Sequence, residues 1–527
     1  MNRCIFVLVA IFFVGSAFAQ TYSFDEYKMQ QQARFNQFKF DKQAEFDAFR
    51  QQQNQRYAEF IKNNWEKFSI HSAVQPKEEK SVLPVVYQEP IPEPDPTRTS
   101  NSLPTLLPIP EPNSGSLSEV APVSIPTLLS KVEPNPILVK EDIVRLPKPQ
   151  PAPEPIAPVE TKKDIPYRIT SVSFYGTLIS VGFPVNDTFK LSGLSENQLA
   201  QAWMQLSSET YDVTLNNVLA IRKNFALCDW GYVEMLQTIS EKKYGNTNEA
   251  VFMHAFLLSQ SGYKIRFATD DKNIYLLVAT QHNILSVPYF IIDDTKFYAL
   301  NCKCKELNIC KASFEQEKAL SLQLRQEQNL KVELTEPRKL TSKYGVTAQV
   351  AVNKNMIDFF NDYPSAYIGN DVTTRWVIYA NTPLDKSIKD KLYPVLKKSV
   401  TGLSERDAVN KMLNFVQTAF VYEYDDKVWG RDRTFFAAET LYYPYADCED
   451  RSILFARLIR DILGLDVVLL YYPGHLATAV AFNQDVKGDY LTYQDRKYII
   501  CDPTYIGAPL GLTMPGMNNQ EAQIIVL

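Results

Sequence analysis

Asp447-Cys448-Glu449-Asp450-Arg451-Ser452, Gly474-His475-Leu476 and Cys501-Asp502-Pro503-Thr504-Tyr505 punctuate one stretch, Tyr445 to Tyr505, from which the rest of the chain can be read. After Cys448 the apolar residues Ile453, Leu454, Ala456, Leu458, Ile459, Ile462 and Leu463 recur at helical spacing, and Gly464 follows where a helix C-cap favours glycine. Asp447 is a good N-cap and Asp450 stands where a capping box places its acidic partner, so Cys448 falls in the first turn of a buried helix. Unpaired backbone N–H groups and the helix dipole there favour a thiolate. Two strand-like runs follow, Val467–Tyr471 and Leu476–Phe482, turning at Pro473-Gly474, and a third, Tyr498–Cys501, ends at Asp502. A helix N-terminal Cys, a His opening one strand and an Asp closing another supply nucleophile, base and orienter, with 27 residues between each pair. Alone, the thiol would read as core and the histidine as a turn residue; jointly placed, they read as a triad.

These residues resemble the transglutaminase-like superfamily of papain-like cysteine hydrolases and acyltransferases. The likeness rests on Asp-Cys-Glu-Asp-Arg-Ser opening a helix, Gly474-His475 at a strand start and Asp502-Pro503-Thr504-Tyr505 at the third position, and it covers roughly the last hundred residues. Where the family often has an aromatic soon after the His, this chain has Leu476-Ala477-Thr478. The resemblance implies an α+β fold with the nucleophile helix packed on an antiparallel sheet. It also implies catalytic roles for Cys448, His475 and Asp502 through an acyl-enzyme resolved by water (a protease or amidase) or by a lysine amine (a crosslinking transglutaminase). Hydrolysis is favoured because nothing in the chain suggests the calcium control or added β-sandwich domains of crosslinking relatives. The competing class is a non-catalytic, oligomeric scaffold or adhesion protein.

At the other end, Arg3, the apolar run Ile5–Gly15 and Ala17-Phe18-Ala19 before Gln20 read as a secretory signal peptide over residues 1–20, so the chain is expected to be exported, periplasmic or extracellular. Cys4 precedes the apolar run and is not placed as a lipoprotein cysteine, and no later segment has the length of a membrane helix. A formal charge of −5 gives no reason to expect nucleic acid. Six cysteines remain in the exported chain, where some should pair. Cys302-x-Cys304, with Cys310 nearby, lacks the His or fourth Cys that would complete a metal site, so a disulfide or free thiols are expected and neither metal nor cofactor.

Residues 21–70 carry an 11-residue repeat. Phe24, Phe35, Phe46, Tyr57 and Phe68 form one series and Tyr27, Phe38, Phe49 and Phe60 another, which sets all nine aromatics on one slowly drifting stripe of a helix about 65 Å long. Such a stripe needs a partner: a second copy in a right-handed coiled coil, another protein surface or, less well matched by the mixed flanking charges, a membrane surface. Residues 71–165 form a Pro-rich linker; 20 of the 32 prolines lie between Pro76 and Pro158, too many for a packed core. Within it Ser102–Leu107 nearly repeats as Ser124–Leu129, low complexity or a pair of docking motifs.

From 166 to 312 the chain turns globular and aligns with its own C-terminal domain at 338–527. A shift of 202 residues sets Gly262 on Gly464, Asn246 on Cys448 and Asn273 on His475; after a one-residue slip Asn301 falls on Asp502. The expected architecture is therefore α+β, tandem transglutaminase-like domains of which the first is degenerate, since Asn can neither attack nor act as a base. Residues 313–337 connect the two, with Phe314–Leu334 expected as a helix.

Overall fold

The computed structural model describes residues 24–75, 82, 84–88, 136–137, 151–159, 165–270, 272–299, 302 and 304–527. The signal sequence, the paired hexamers of the linker and Asn301 lie outside the described residues. Helix and sheet are mixed throughout, in agreement with an α+β class.

The repeat forms one long helix, α1 (Phe24–Asn63), but its last aromatic lies beyond it. Phe68 sits in strand β1 (Trp65–Ser69), which joins the edge of the first sheet. Among the described side chains of α1, only Tyr57 of the predicted stripe belongs to the face that packs. Arg50, Asn54, Tyr57, Ala58 and Ile61 are buried, whereas Tyr27, Phe35, Phe38, Phe46, Phe49 and Phe60 are all exposed. Polar and aromatic contacts fix the seat. Arg50 pairs with Asp212 at 2.6 Å, Asn54 accepts from the Trp203 indole at 2.9 Å, and the Tyr57 ring stacks on Trp203 at 4.2 Å and on Phe314 at 4.5 Å. Only the C-terminal part of α1 is thus anchored, because buried hydrogen-bonded groups end at Arg50.

The first globular half opens with the hairpin β3 (Tyr167–Phe174) and β4 (Thr177–Pro184), followed by α2 (Glu196–Leu206), α3 (Asp212–Asn224), α4 (Asp229–Tyr244) and α5 (Asn248–Gln260). Helix α5 is apolar nearly all round, as a helix enclosed by sheet and neighbouring helices must be. Its sheet comprises β5 (Ile265–Thr269), β6 (Ile274–Ala279), β8 (Tyr289–Ile292), β9 (Thr295–Ala299) and β10 (Glu306–Cys310), in the antiparallel order β1-β10-β5-β6-β9-β8.

The second half contains hairpin β11 (Arg338–Thr341) and β12 (Thr347–Val350), helices α6 (Lys354–Asn361), α7 (Arg375–Asn381), α8 (Lys386–Val400), α9 (Glu405–Thr418), α10 (Asp425–Val428), α11 (Ala437–Tyr442) and α12 (Cys448–Leu463). Strands β14 (Val467–Tyr472), β15 (His475–Ala481), β16 (Tyr490–Tyr493), β17 (Arg496–Cys501) and β18 (Gln523–Val526), with the two-residue edge β2 (Pro136–Ile137), build the second sheet, ordered β18-β14-β15-β17-β16-β2. The small ladder of β7 (Asn283–Ile284) and β13 (Ala366–Tyr367) ties the halves together, and one buried apolar cluster runs from Tyr57 through to Ile525.

The two sheets share more than strand order. Ile265 faces Val278 in the first and Val467 faces Val480 in the second, both partners 202 residues on. Tyr298 then faces Val278 and Ile499 faces Val480, a shift of 201 for the later strand. Since a one-residue slip turns every side chain to the opposite face, matching register on both sides of the central strand is a demanding coincidence of detail.

Two sequence expectations are corrected. Phe314–Leu334 is extended and contains no helix. Leu320, Leu322 and Leu324 are buried at alternate positions, a period of two, and Leu320 pairs with Thr280 while Lys318 pairs with Tyr263 beside the first sheet. The linker also carries structure where it is described. Pro136-Ile137 forms β2, a parallel edge to β16, and Ile156 N–H donates to the Gln260 carbonyl at 3.2 Å. Gly262 has φ +88°, and a Cβ there would lie 1.9 Å from the Glu154 carbonyl oxygen, so the close passage of this linker requires glycine.

Candidate active site

Helix α12 begins at Cys448 as the sequence implies. Asp447 caps it, its Oδ1 accepting from the N–H groups of Glu449 (3.1 Å) and Asp450 (3.4 Å), and Asp450 Oδ2 accepts in return from the Asp447 N–H at 3.3 Å. Asp450 Oδ1 also accepts from the Phe435 N–H at 2.8 Å, which fastens the loop before α11 to the start of α12. Behind the first turn the buried Arg451 spends its guanidinium on three carbonyls, those of Ala446 (3.2 Å), Gln417 (3.0 Å) and Phe420 (2.9 Å). The chain that delivers Cys448 is thereby pinned to the end of α9.

Strand β15 presents His475 as its first residue, after a turn in which Gly474 takes φ +75°. Ser452 Oγ–H donates to the Leu476 carbonyl at 2.9 Å, so helix and strand are locked one residue from the histidine. His475 Nε2 and Asp502 Oδ2 are 2.9 Å apart. Asp502 Oδ1 accepts from the backbone N–H groups of Thr504 (2.8 Å) and Tyr505 (3.2 Å), which fixes the carboxylate's orientation. With Nε2 occupied, His475 Nδ1 is buried and has no hydrogen-bond partner. Cys448, His475 and Asp502 are 5%, 2% and 3% exposed, so all three are buried.

The thiol's state differs from the sequence expectation. Burial first, then the Asp447 and Glu449 carboxylates, pushes the Cys448 thiol well above its ordinary value, outweighing the helix terminus. Burial and mutual repulsion likewise raise Asp447, Glu449 and Asp450 well above the usual carboxylate range. The thiol is therefore neutral and enclosed at neutral pH, and attack requires a base that removes its proton during the reaction.

None of the six cysteines described is in a disulfide. Cys304 Sγ lies 3.2 Å from the Tyr275 hydroxyl, and Cys501 is buried within β17. Trp429 packs edge-on against Tyr443 and Phe435 beneath the Arg433 guanidinium. Several neighbours of Cys448 were not singled out in sequence. Asp425, Asp432 and Glu449 bring carboxylate oxygens within 4.8 Å of one another, close enough to share a cation, although Arg375 already pairs with Asp432 at 2.9 Å. Tyr422, Tyr424 and Thr504 each bury a hydroxyl without a partner. Linker residues also reach the rim: Val82 N–H donates to the Gly474 carbonyl at 3.1 Å, and Tyr87 N–H to that of Ile506 at 2.9 Å. Only the local capping pattern was readable in advance, since these others arrive from distant parts of the chain.

In the first half, α5 starts at Asn248 with Thr247 as its cap, two residues after the position that matches Cys448. Asn246 is exposed and does not cap the helix, and Asn273 is exposed and turned to Asp270. The Ile274 N–H, which corresponds to that of Leu476, donates to the Asn248 side chain at 2.8 Å. Among the described residues no helix is long and apolar enough to cross a membrane. Comparison of the chain with protein-family models, with curated proteins and with solved structures finds no match in any of the three.

Proposed function

We propose that the chain is an exported cysteine hydrolase of transglutaminase-like type, a protease or amidase, in which Cys448 attacks an amide or ester carbonyl. The observation that carries the reading is the buried His475–Asp502 pair at 2.9 Å, with Nδ1 unpartnered and the first turn of the Cys448 helix bonded to the same strand through Ser452 Oγ–H and the Leu476 carbonyl at 2.9 Å. In this reading Nδ1 takes the thiol proton as the C–S bond forms and returns it to the leaving group, while Asp502 holds the proton on Nε2 and stabilises the imidazolium. Water then cleaves the acyl-enzyme. The two halves are tandem copies whose first member has lost its nucleophile, base and orienter; the matched sheet registers support this. Export rests on residues 1–20.

The experiment is acylation of the chain from Thr21 onward with p-nitrophenyl acetate. A burst of one p-nitrophenolate per chain, an acetyl group mapped to Cys448 and loss of both in Cys448→Ala are expected. No burst, or a burst that survives Cys448→Ala, refutes the proposal and favours the scaffold reading, to which the exposed aromatics of α1 lend themselves. Incorporation of a fluorescent alkylamine into casein, in place of casein cleavage, would assign transamidation.

A further inference from the structure

We propose that the Tyr422 hydroxyl, with the Cys448 backbone N–H, binds the oxyanion formed when Cys448 attacks its substrate; this rests on the catalytic reading above.

The argument begins with groups left unpaired. Buried polar atoms in folded proteins are nearly always hydrogen-bonded, so each exception calls for a physical cause. Four exceptions fall on the loop after α9 and on the segments that carry His475 and Asp502: the hydroxyls of Tyr422, Tyr424 and Thr504, and His475 Nδ1. The histidine atom is accounted for as the base. A donor held dry and unsatisfied in the resting protein is what a preorganised oxyanion site requires, because its acceptor exists only once charge develops.

Tyr422 is also the better placed of the two tyrosines. Val421 bridges Tyr445, and the Ala446 N–H donates to the Val421 carbonyl at 3.1 Å, which sets Tyr422 beside the residues leading into Cys448. The Arg451 guanidinium covers its ring at 5.3 Å, and Arg451 is itself immobilised on the carbonyls of Gln417 and Phe420. After burial, the groups that bear most on the Tyr422 hydroxyl are Cys448 and then Asp447. The Tyr424 ring instead meets Lys427 on the solvent side, 5.2 Å from its ammonium. Cys448 occupies the first position of α12, where the backbone N–H has no acceptor within the helix.

The step balances without any further reagent. The Cys448 S–H proton passes to His475 Nδ1, sulfur bonds the carbonyl carbon, and the C=O π pair moves onto oxygen. That oxygen accepts hydrogen bonds from Tyr422 O–H and Cys448 N–H. The pair then returns to re-form C=O, the bond to the leaving group breaks, and His475 supplies the proton that group needs.

The test compares acylation by p-nitrophenyl acetate with alkylation by iodoacetamide, which needs the thiolate but forms no oxyanion. Tyr422→Phe deletes a hydroxyl that holds no hydrogen bond in the folded protein, so the melting temperature should not fall, and Tyr445→Phe, at the exposed neighbouring position, serves as control. The expected result is an acylation rate constant lower by about 10²–10³-fold, with alkylation of Cys448 unchanged and the Tyr445→Phe variant like wild type. Unchanged acylation in Tyr422→Phe overturns the proposal. An equal loss in both reactions also overturns it, since Tyr422 would then act on the sulfur. A wild-type burst that depends on Cys448 keeps the catalytic reading in either event, whereas its absence overturns both.

Discussion

Asp502→Asn is the substitution that most sharply tests the geometry, because asparagine serves some thiol triads well and should fail in this one. Asp502 Oδ1 is committed to two backbone donors, Thr504 N–H and Tyr505 N–H, at 2.8 and 3.2 Å. An asparagine keeps those bonds only by placing its carbonyl oxygen there, which turns its NH₂ toward His475 Nε2. Nε2 must then be the acceptor and the ring proton moves to Nδ1, where no base remains to take the thiol proton. Flipping the amide restores the tautomer but breaks both backbone bonds, at about 1 kcal/mol each, and opposes N–H to N–H, a total of about 2–3 kcal/mol. Loss of the carboxylate charge beside a developing imidazolium costs about another 1.5–3 kcal/mol. Together these amount to about 3.5–6 kcal/mol, or roughly 4 × 10² to 3 × 10⁴ in rate. The assay is the p-nitrophenyl acetate burst for Asp502→Asn and Asp502→Ala, with ¹⁵N–¹H spectra of the ring nitrogens, assigned by deleting each of the four histidines in turn. Both variants should fall within about tenfold of one another, and the asparagine variant should carry its proton on Nδ1. An asparagine variant within tenfold of wild type would refute the reasoning.

Iodoacetamide labelling of Cys448 should keep rising above pH 8.5, since burial and the Asp447 and Glu449 carboxylates raise the thiol above the ordinary value of about 8.5; a plateau below pH 7 would contradict this. Asp425 is pushed up to about 8 by burial and then Glu449, and Glu439 to about 7 by burial. Folded-state values above the unfolded ones mean that the native state holds extra protons, so urea stability should be highest below about pH 4 as regards these two groups and decline as pH rises through 8. Asp425→Asn should flatten that decline, and an unchanged slope would exclude Asp425 as its source. Arg451→Met removes three hydrogen bonds to buried carbonyls and should cost about 3–5 kcal/mol in urea unfolding; a loss below about 1 kcal/mol would mean that the carbonyls find other donors. Phe35, Phe38, Phe46 and Phe49 replaced together by serine should abolish concentration-dependent self-association in sedimentation without lowering the melting temperature, because all four are exposed. A monomeric wild type at high concentration would remove the need for a second copy.

The sequence by itself determined whatever local chemistry enforces. The Asp447/Asp450 capping box, the apolar period of α12, Gly464 in the left-handed conformation at φ +68° and the His475 turn needed only neighbours within a few residues. The shift of 202 residues was read from the apolar period of the helices that end at Gly262 and Gly464, and the strand pairs that follow repeat the same offset. Tertiary structure decided what depends on burial and on distant partners. Whether a thiol at a helix N-terminus ionises is a contest between the dipole and desolvation, and the outcome was set by how deeply Cys448 is enclosed and by carboxylates crowding it. The face of α1 that packs was set by partners at Trp203, Asp212 and Gln260, which no periodicity encodes. The Leu320–Leu324 segment fitted a loose helical reading until its neighbours in the first sheet claimed its backbone and its alternate side chains. Tyr422 carries no signal in the sequence at all; its ring is placed by Arg451, which is held by carbonyls of residues more than thirty positions away.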